Sequence, residues 1–176
     1  MKFYKLFVLV GMAWLWWGLC PASAGEDRAL YSAALKAANE GQQDLAFMRY
    51  RSLLRDFPKS RFQKDALFAV GEYYFLIADK REVKNIFQKF IQNYPEDKRR
   101  LYAQMYLLKM AELEKDEDTR RELTAEIIKS KHVSLVFKEF KEYQYRSPLN
   151  RMHRVVYYID RIEFFTEGEL CVRIPL

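Results

Sequence analysis

The sequence predicts a mostly α-helical protein: about three stacked helical hairpins, closed by a small antiparallel β element at the C-terminus. Three observations carry this. Two fifteen-residue stretches, 44–58 and 81–95, repeat the same apolar pattern and both end in proline. Apolar residues elsewhere between 27 and 130 recur three and four apart, which makes one face of a helix. After about His132 the period shifts towards two, the spacing of a half-buried strand.

The chain opens with Met1-Lys2-Phe3-Tyr4-Lys5, an apolar run from Leu6 to Trp17, and Ala22-Ser23-Ala24 before Gly25. A short positive segment, an apolar core and a small-x-small site make a secretory signal peptide over residues 1–24, cleaved after Ala24. The apolar run falls short of the roughly 20 residues a spanning helix needs. Export to the periplasm or beyond is therefore expected. The alternative is a membrane-anchored lipoprotein at Cys20, but Trp17 and Leu19 stand where a lipid signal has leucine and a small residue. Without Lys2 and Lys5 the net charge of +6 falls to +4, with both signs interleaved. That composition speaks against nucleic acid as a partner. Cleavage would leave Cys171 as the one cysteine, so no internal disulfide is expected, and Leu170-Cys171-Val172 reads as a buried apolar stretch.

The first helix of the array covers 27–39, with Leu30, Ala33, Ala34 and Ala37 on one face and Gly41 breaking the chain. Aligning Pro58 with Pro95, a spacing of 37, sets Ala46 over Val83, Tyr50 over Phe87, Leu53 over Phe90 and Phe57 over Tyr94. A period in the thirties means stacked helical hairpins, each proline ending one helix before the next. Ser60 with Gln63 reads as a capping box opening a helix to about Ala78, in which Gly71 lets a neighbouring helix approach. A third copy follows Pro95, with a helix through Tyr102–Ala111. Thr119 with Glu122 forms a second capping box, opening a helix to about Ser130. The acidic run Asp116-Glu117-Asp118 belongs at that helix start, where it complements the dipole.

This pattern resembles the tetratricopeptide repeat, which asks for a leucine and a small residue in the first helix, a small residue and an aromatic in the second, and a closing proline. The first copy supplies Leu30, Ala34, Ala46, Tyr50 and Pro58. The second supplies Leu67, Gly71, Phe87 and Pro95, with Val83 for the usual alanine. The third departs, with Leu108 at the place of Gly71 and no closing proline. The resemblance covers roughly residues 27–130. The linkers Phe57-Pro58-Lys59-Ser60 and Tyr94-Pro95-Glu96-Asp97 are similar to those of an exported subset. That subset includes the lipoprotein of the outer-membrane barrel-assembly machinery and the periplasmic cell-division coordinator.

The division expected is a signal peptide over 1–24, a repeat domain over 25–131 and a β cap over 132–176. In the last segment Tyr157-x-Ile159, Ile162-x-Phe164 and Leu170-x-Val172-x-Ile174 alternate, and Thr166-Glu167-Gly168-Glu169 reads as a hairpin turn. Val133–Tyr145 fits strand or helix, and Ser147–Asn150 is a loop. A lone hairpin is marginal in water, so three strands covering the open end of the array are expected.

No nucleophile elbow, phosphate loop, dinucleotide fingerprint or zinc-protease motif occurs in the sequence. His132 and His153 lie in different segments, and a Cys171–His153 pair would lack an orienting group. A non-enzymatic protein without cofactor or metal is expected, with other envelope proteins or peptides as partners, and with a membrane only if Cys20 is lipidated. In stacked hairpins the first helix of each pair lines the concave surface. The positions counted inward are Arg28, Tyr31 and Leu35, then Asp65, Phe68, Glu72 and Phe75, then Tyr102, Met105 and Lys109. Aromatics mixed with both charges suit a peptide-binding groove. The alternative is a structural subunit of an envelope assembly complex, its groove filled by its own chain, that contacts partners through the C-terminal β element.

Overall fold

The computed structural model describes residues 25–129 and 140–176. The expected signal peptide with Cys20, His132, and the boundary between 131 and 132 lie outside the described residues. Six helices come first: α1 (Glu26–Asn39), α2 (Gln43–Asp56), α3 (Gln63–Leu76), α4 (Lys80–Asn93), α5 (Arg100–Glu114) and α6 (Glu117–Lys129). They stack as three antiparallel hairpins, each packed on the next.

The repeat is 37 residues throughout: α1, α3 and α5 begin at 26, 63 and 100, and α2, α4 and α6 at 43, 80 and 117. The turn inside each hairpin obeys the same spacing. Gly41, Ala78 and Lys115 all take a left-handed backbone, with φ of 76°, 58° and 59°. Only the first is the glycine that this conformation favours. The apolar positions aligned in the sequence, Ala46, Tyr50 and Leu53 with Val83, Phe87 and Phe90, are all fully buried.

The caps differ from both expected boxes. Ser60 Oγ accepts from the Phe62 N–H, but the Gln63 amide turns back to donate to the Leu53 and Phe57 carbonyls at the end of α2. For α6 the cap is Asp116, which accepts from the Thr119 N–H and hydroxyl. Asp79 does the same for α4 by accepting from the Glu82 N–H. An aspartate one place before the helix reaches these amides directly, so Thr119 is left inside the first turn.

Gly71 marks the closest helix approach. A Cβ there would lie 2.8 Å from Cζ and 2.9 Å from Cε1 of Phe87, and 3.1 Å from Ile86. The Phe87 ring cannot retreat, because it is fully buried and stacks on Tyr106 at 4.7 Å. Gly71→Ala gains about 1 kcal/mol of helix propensity, while overpacking a filled core costs about 1–3 kcal/mol. A net loss of about 1 kcal/mol in urea unfolding is expected, and a stabilised Gly71→Ala would show the contact to be soft.

The C-terminal element has four strands, where three were expected: β1 (Phe140–Arg146), β2 (Met152–Tyr158), β3 (Arg161–Thr166) and β4 (Glu169–Pro175), in a simple antiparallel meander. The alternating run from Tyr157 to Phe164 contains a turn at Ile159-Asp160. Tyr157 pairs with Ile162 across it. The apolar positions change phase across it, from Val155 and Tyr157 to Ile162 and Phe164, so the run is two strands and not one. The expected turn at Glu167-Gly168 is present, with positive φ at both residues. One face of the sheet presents Val155, Tyr157, Ile162, Phe164, Val172 and Ile174, all buried in one core with Phe68, Phe87, Tyr102 and Met105 of the helices. Among the described residues no helix is long and apolar enough to cross a membrane.

Candidate functional site

The concave face is built by α1, α3 and α5, and the protein's own sheet lies against it. Phe68, Glu72, Tyr102 and Met105 are buried there. Tyr145 of β1 and His153 of β2 meet Phe68 with ring centroids 5.7 and 6.3 Å apart, and both rings also pack on Tyr102. The Tyr102 hydroxyl donates to the Tyr143 carbonyl at 3.3 Å. Phe75 packs edge-on against Tyr106 at 4.8 Å. At the far end the β1–β2 turn reaches the first hairpin. Leu149 is fully buried beside Ala34, Ala38 and Tyr50, and the Tyr50 hydroxyl donates to the Pro148 carbonyl at 2.8 Å.

The remaining inward positions stay nearer the rim. Arg28 is exposed, Tyr31 and Leu35 are half-buried, and the Lys109 ammonium bonds Glu112 at 3.3 Å. Tyr31 stacks on Phe62 at 4.1 Å and donates to Asp65 at 2.8 Å. Asp65 also accepts from Arg99 at 2.6 Å, and Arg99 is clamped by both oxygens of Asp97. Tyr31 with Asp65, Asp65 with Arg99, and Glu72 with Tyr106 are each 34 residues apart, one first helix bonding the next. This ladder is a structural seam between repeats.

Arg99, foremost by hydrogen bonding, holds the Asp97 carboxyl well below the usual carboxylate range. A depressed acid contributes stability that is complete above its unfolded pKa, about 4, and is lost as the pH falls below it. Asp97→Asn should therefore flatten the acid limb of a stability–pH curve between about pH 4 and pH 2, read by urea midpoints. An unchanged limb would assign that loss to other carboxylates.

At the centre of the interface between helices and sheet is a buried polar chain. His153 Nε2 lies 2.6 Å from Glu72 Oε1, and its Nδ1 lies 3.1 Å from Thr166 Oγ1. Tyr106 donates to the same Glu72 oxygen at 3.2 Å, and Arg151 approaches the Tyr106 hydroxyl at 3.4 Å. Burial first, then the Glu72 carboxylate, pushes the Tyr106 phenol far up, so it remains a neutral donor. A hydroxyl, an imidazole and a carboxylate in a row have the composition of a catalytic triad. Here His153 and Glu72 have no exposed surface, so no substrate atom can reach them. With both His153 nitrogens engaged, Cys171 is not its partner. Cys171 is half-buried, not buried as expected, and its thiol lies 3.7 Å from the Glu169 carbonyl. His153, Thr166, Tyr145 and Leu149 are the residues that sequence reasoning missed. A histidine inside an alternating apolar strand was the one signal for them.

The three hairpins in register, with small residues facing aromatics, set the terms for a comparison with known repeats. Residues 65–97 match the tetratricopeptide repeat. The match runs from the second residue pair of α3 through the Tyr94-Pro95 linker, so it covers the second hairpin. The chain therefore carries a tetratricopeptide repeat, flanked on each side by a hairpin of the same length and turn geometry. No match was found among curated proteins. Tetratricopeptide repeats are typically non-enzymatic and generally bind proteins or peptides. In this chain the face that would serve as a groove is lined on its opposite side by the same polypeptide.

Proposed function

We propose that this protein is an exported, non-enzymatic scaffold subunit of a bacterial envelope assembly, and that it meets its partner through the C-terminal β element. One observation carries the reading. Phe68, Glu72, Tyr102 and Met105, the centre of the concave face, are buried beneath the protein's own sheet. Seven apolar side chains of the sheet and its first turn enter the shared core, from Leu149 to Ile174. Exposing them would cost on the order of 10–20 kcal/mol at about 1.5–3 kcal/mol each. A domain's whole stability is about 5–15 kcal/mol. A peptide cannot displace the sheet without unfolding the protein.

The outer surface of the β element offers what the groove does not. Ile159, at the β2–β3 turn, is 74% exposed, and the exposed C-terminal Leu176 is held beside it by its N–H on the Asp160 carbonyl. Export rests on the N-terminal signal pattern, and the envelope on the likeness of the linkers to exported repeats. A photo-reactive residue placed at 159 should crosslink a discrete partner in native cells, and one placed at 28 should not. Intact mass of the secreted chain should begin at Gly25. Crosslinking at 28 alone would overturn the β-element reading, and a retained N-terminus would overturn export by cleavage.

A further inference from the structure

The convex side carries the same cleft twice, one repeat apart. The first lies between α2 and α4, with a volume of about 530 Å³ and a floor of Leu54, Val70, Tyr74 and Ile86. The second lies between α4 and α6, with about 590 Å³, and Ile91, Leu107, Ala111 and Leu123 stand at the corresponding places, each 37 residues on. The backbone makes two equal sites, and the side chains then make them differ. The rim of the first is Met48, Arg51, Ser52 and Arg55, one stripe along α2. In the second, Gln88 and Gln92 replace the two arginines, and Lys84, Glu114, Asp116, Glu122 and Glu126 join the lining, with Glu114 paired to Lys84 at 2.9 Å.

We propose that the first cleft binds a partner's amphipathic helix, apolar on one face and acidic along the adjoining flank. The lining is helix throughout, so its backbone amides are already bonded and it offers no edge to an extended strand. A ligand entering it must satisfy its own backbone, which a helix does. Side chains at i, i+3, i+4 and i+7 fit a trough that follows two turns of α2. Met48, 64% exposed at the mouth, is a side chain that adapts to an apolar ridge. Charge chooses the flank. Arg51 lies over the Phe47 ring at 5.5 Å and has no carboxylate partner among the described residues, so its charge is available. Arg55 is balanced by Asp56 through bonds of 2.7 and 2.9 Å, so it contributes less. The second cleft has no arginine at these places, and its acidic groups outnumber Lys84 even with Glu114 paired to Lys84 and Glu126 to Arg100, so charge favours the first cleft for this ligand.

The test uses the mature chain and two synthetic helical peptides with one leucine stripe, one flanked by glutamate and the other by lysine, read by fluorescence anisotropy. The glutamate peptide should bind at least tenfold more tightly. Arg51→Glu with Arg55→Glu should reverse the preference, and Met48→Glu should weaken both peptides. All three positions are at the surface, and circular dichroism checks that each variant stays folded. Equal binding of the two peptides, or a preference unchanged by the double charge reversal, overturns the proposal. So does a concentration-dependent dimer that Met48→Glu dissociates, since the occupant would then be a second copy. Crosslinking at 159 is indifferent to these variants, so failure here leaves the β-element reading standing, and the reverse also holds.

Discussion

His153→Ala should cost about 3–5 kcal/mol, the penalty for breaking a buried pair by removing one member. Glu72, with no exposed surface, would keep only the Tyr106 hydroxyl as a donor, and its Oε2 already makes no hydrogen bond. Against a total of about 5–15 kcal/mol, that loss takes the domain to the edge of unfolding. Glu72→Ala should cost a similar amount, since it leaves the imidazole and the Tyr106 hydroxyl without their acceptor. The informative variant is the double one. Glu72→Leu with His153→Leu removes both ionisable groups and leaves only the neutral Tyr106 and Thr166 hydroxyls without these partners, so it should cost less than the two single leucine variants together. Urea unfolding of the parent, Glu72→Leu, His153→Leu and the double variant gives the coupling energy directly. Strictly additive losses would mean that Glu72 and His153 do not act as a pair.

The helical half was legible because its determinants are local. Apolar spacing, the two prolines and Gly41 gave all six helices to within a few residues. Even the departure at Leu108 has a local cause, visible once the 37-residue register is extended. The position equivalent to Phe87 in the third hairpin is Thr124, so bulk has moved from the second helix to the first. The size of the pair is conserved, while the residue-by-residue pattern is not. The capping boxes failed for a comparable reason. Gln63 and Thr119 had two local options each, and the orphan carbonyls ending α2 and the carboxylate of Asp116 were the better partners.

What the sequence left hidden is long-range. The inward positions of the first helices follow from counting along the aligned repeats, but nothing local says what covers that face. The covering contacts join residues 81 and 98 apart, Glu72 with His153 and Tyr50 with Pro148. Neither periodicity nor motif reports such a pair. The count of strands failed at the short turn Ile159-Asp160, where the change of apolar phase between Tyr157 and Ile162 was the signal, and the convex clefts need three helices in place before they exist at all.

Truncation after residue 129 should have the larger effect: the six helices alone should not fold cooperatively. The concave side of the array is not a polar groove with a few apolar anchors. Phe68, Tyr102 and Met105 share one buried core with Val155, Phe164 and their neighbours, and Tyr145 packs against it. Stripping the sheet exposes this layer to water at about 25 cal/mol per Å² of apolar surface. The turn Ser147–Asn150 would also leave the first hairpin, taking Leu149 and the bond from Tyr50 with it. The truncated chain should keep helical circular dichroism, bind a hydrophobic dye and unfold without a sharp transition. Phe164→Ala in the whole protein is the graded version and should cost about 3–5 kcal/mol. A truncated chain that melts as sharply as the parent would make the sheet a detachable ligand and reopen the concave face as a binding groove. A broad, early transition would instead make the sheet the other half of one core, and the search for partners then belongs on the outside of the molecule.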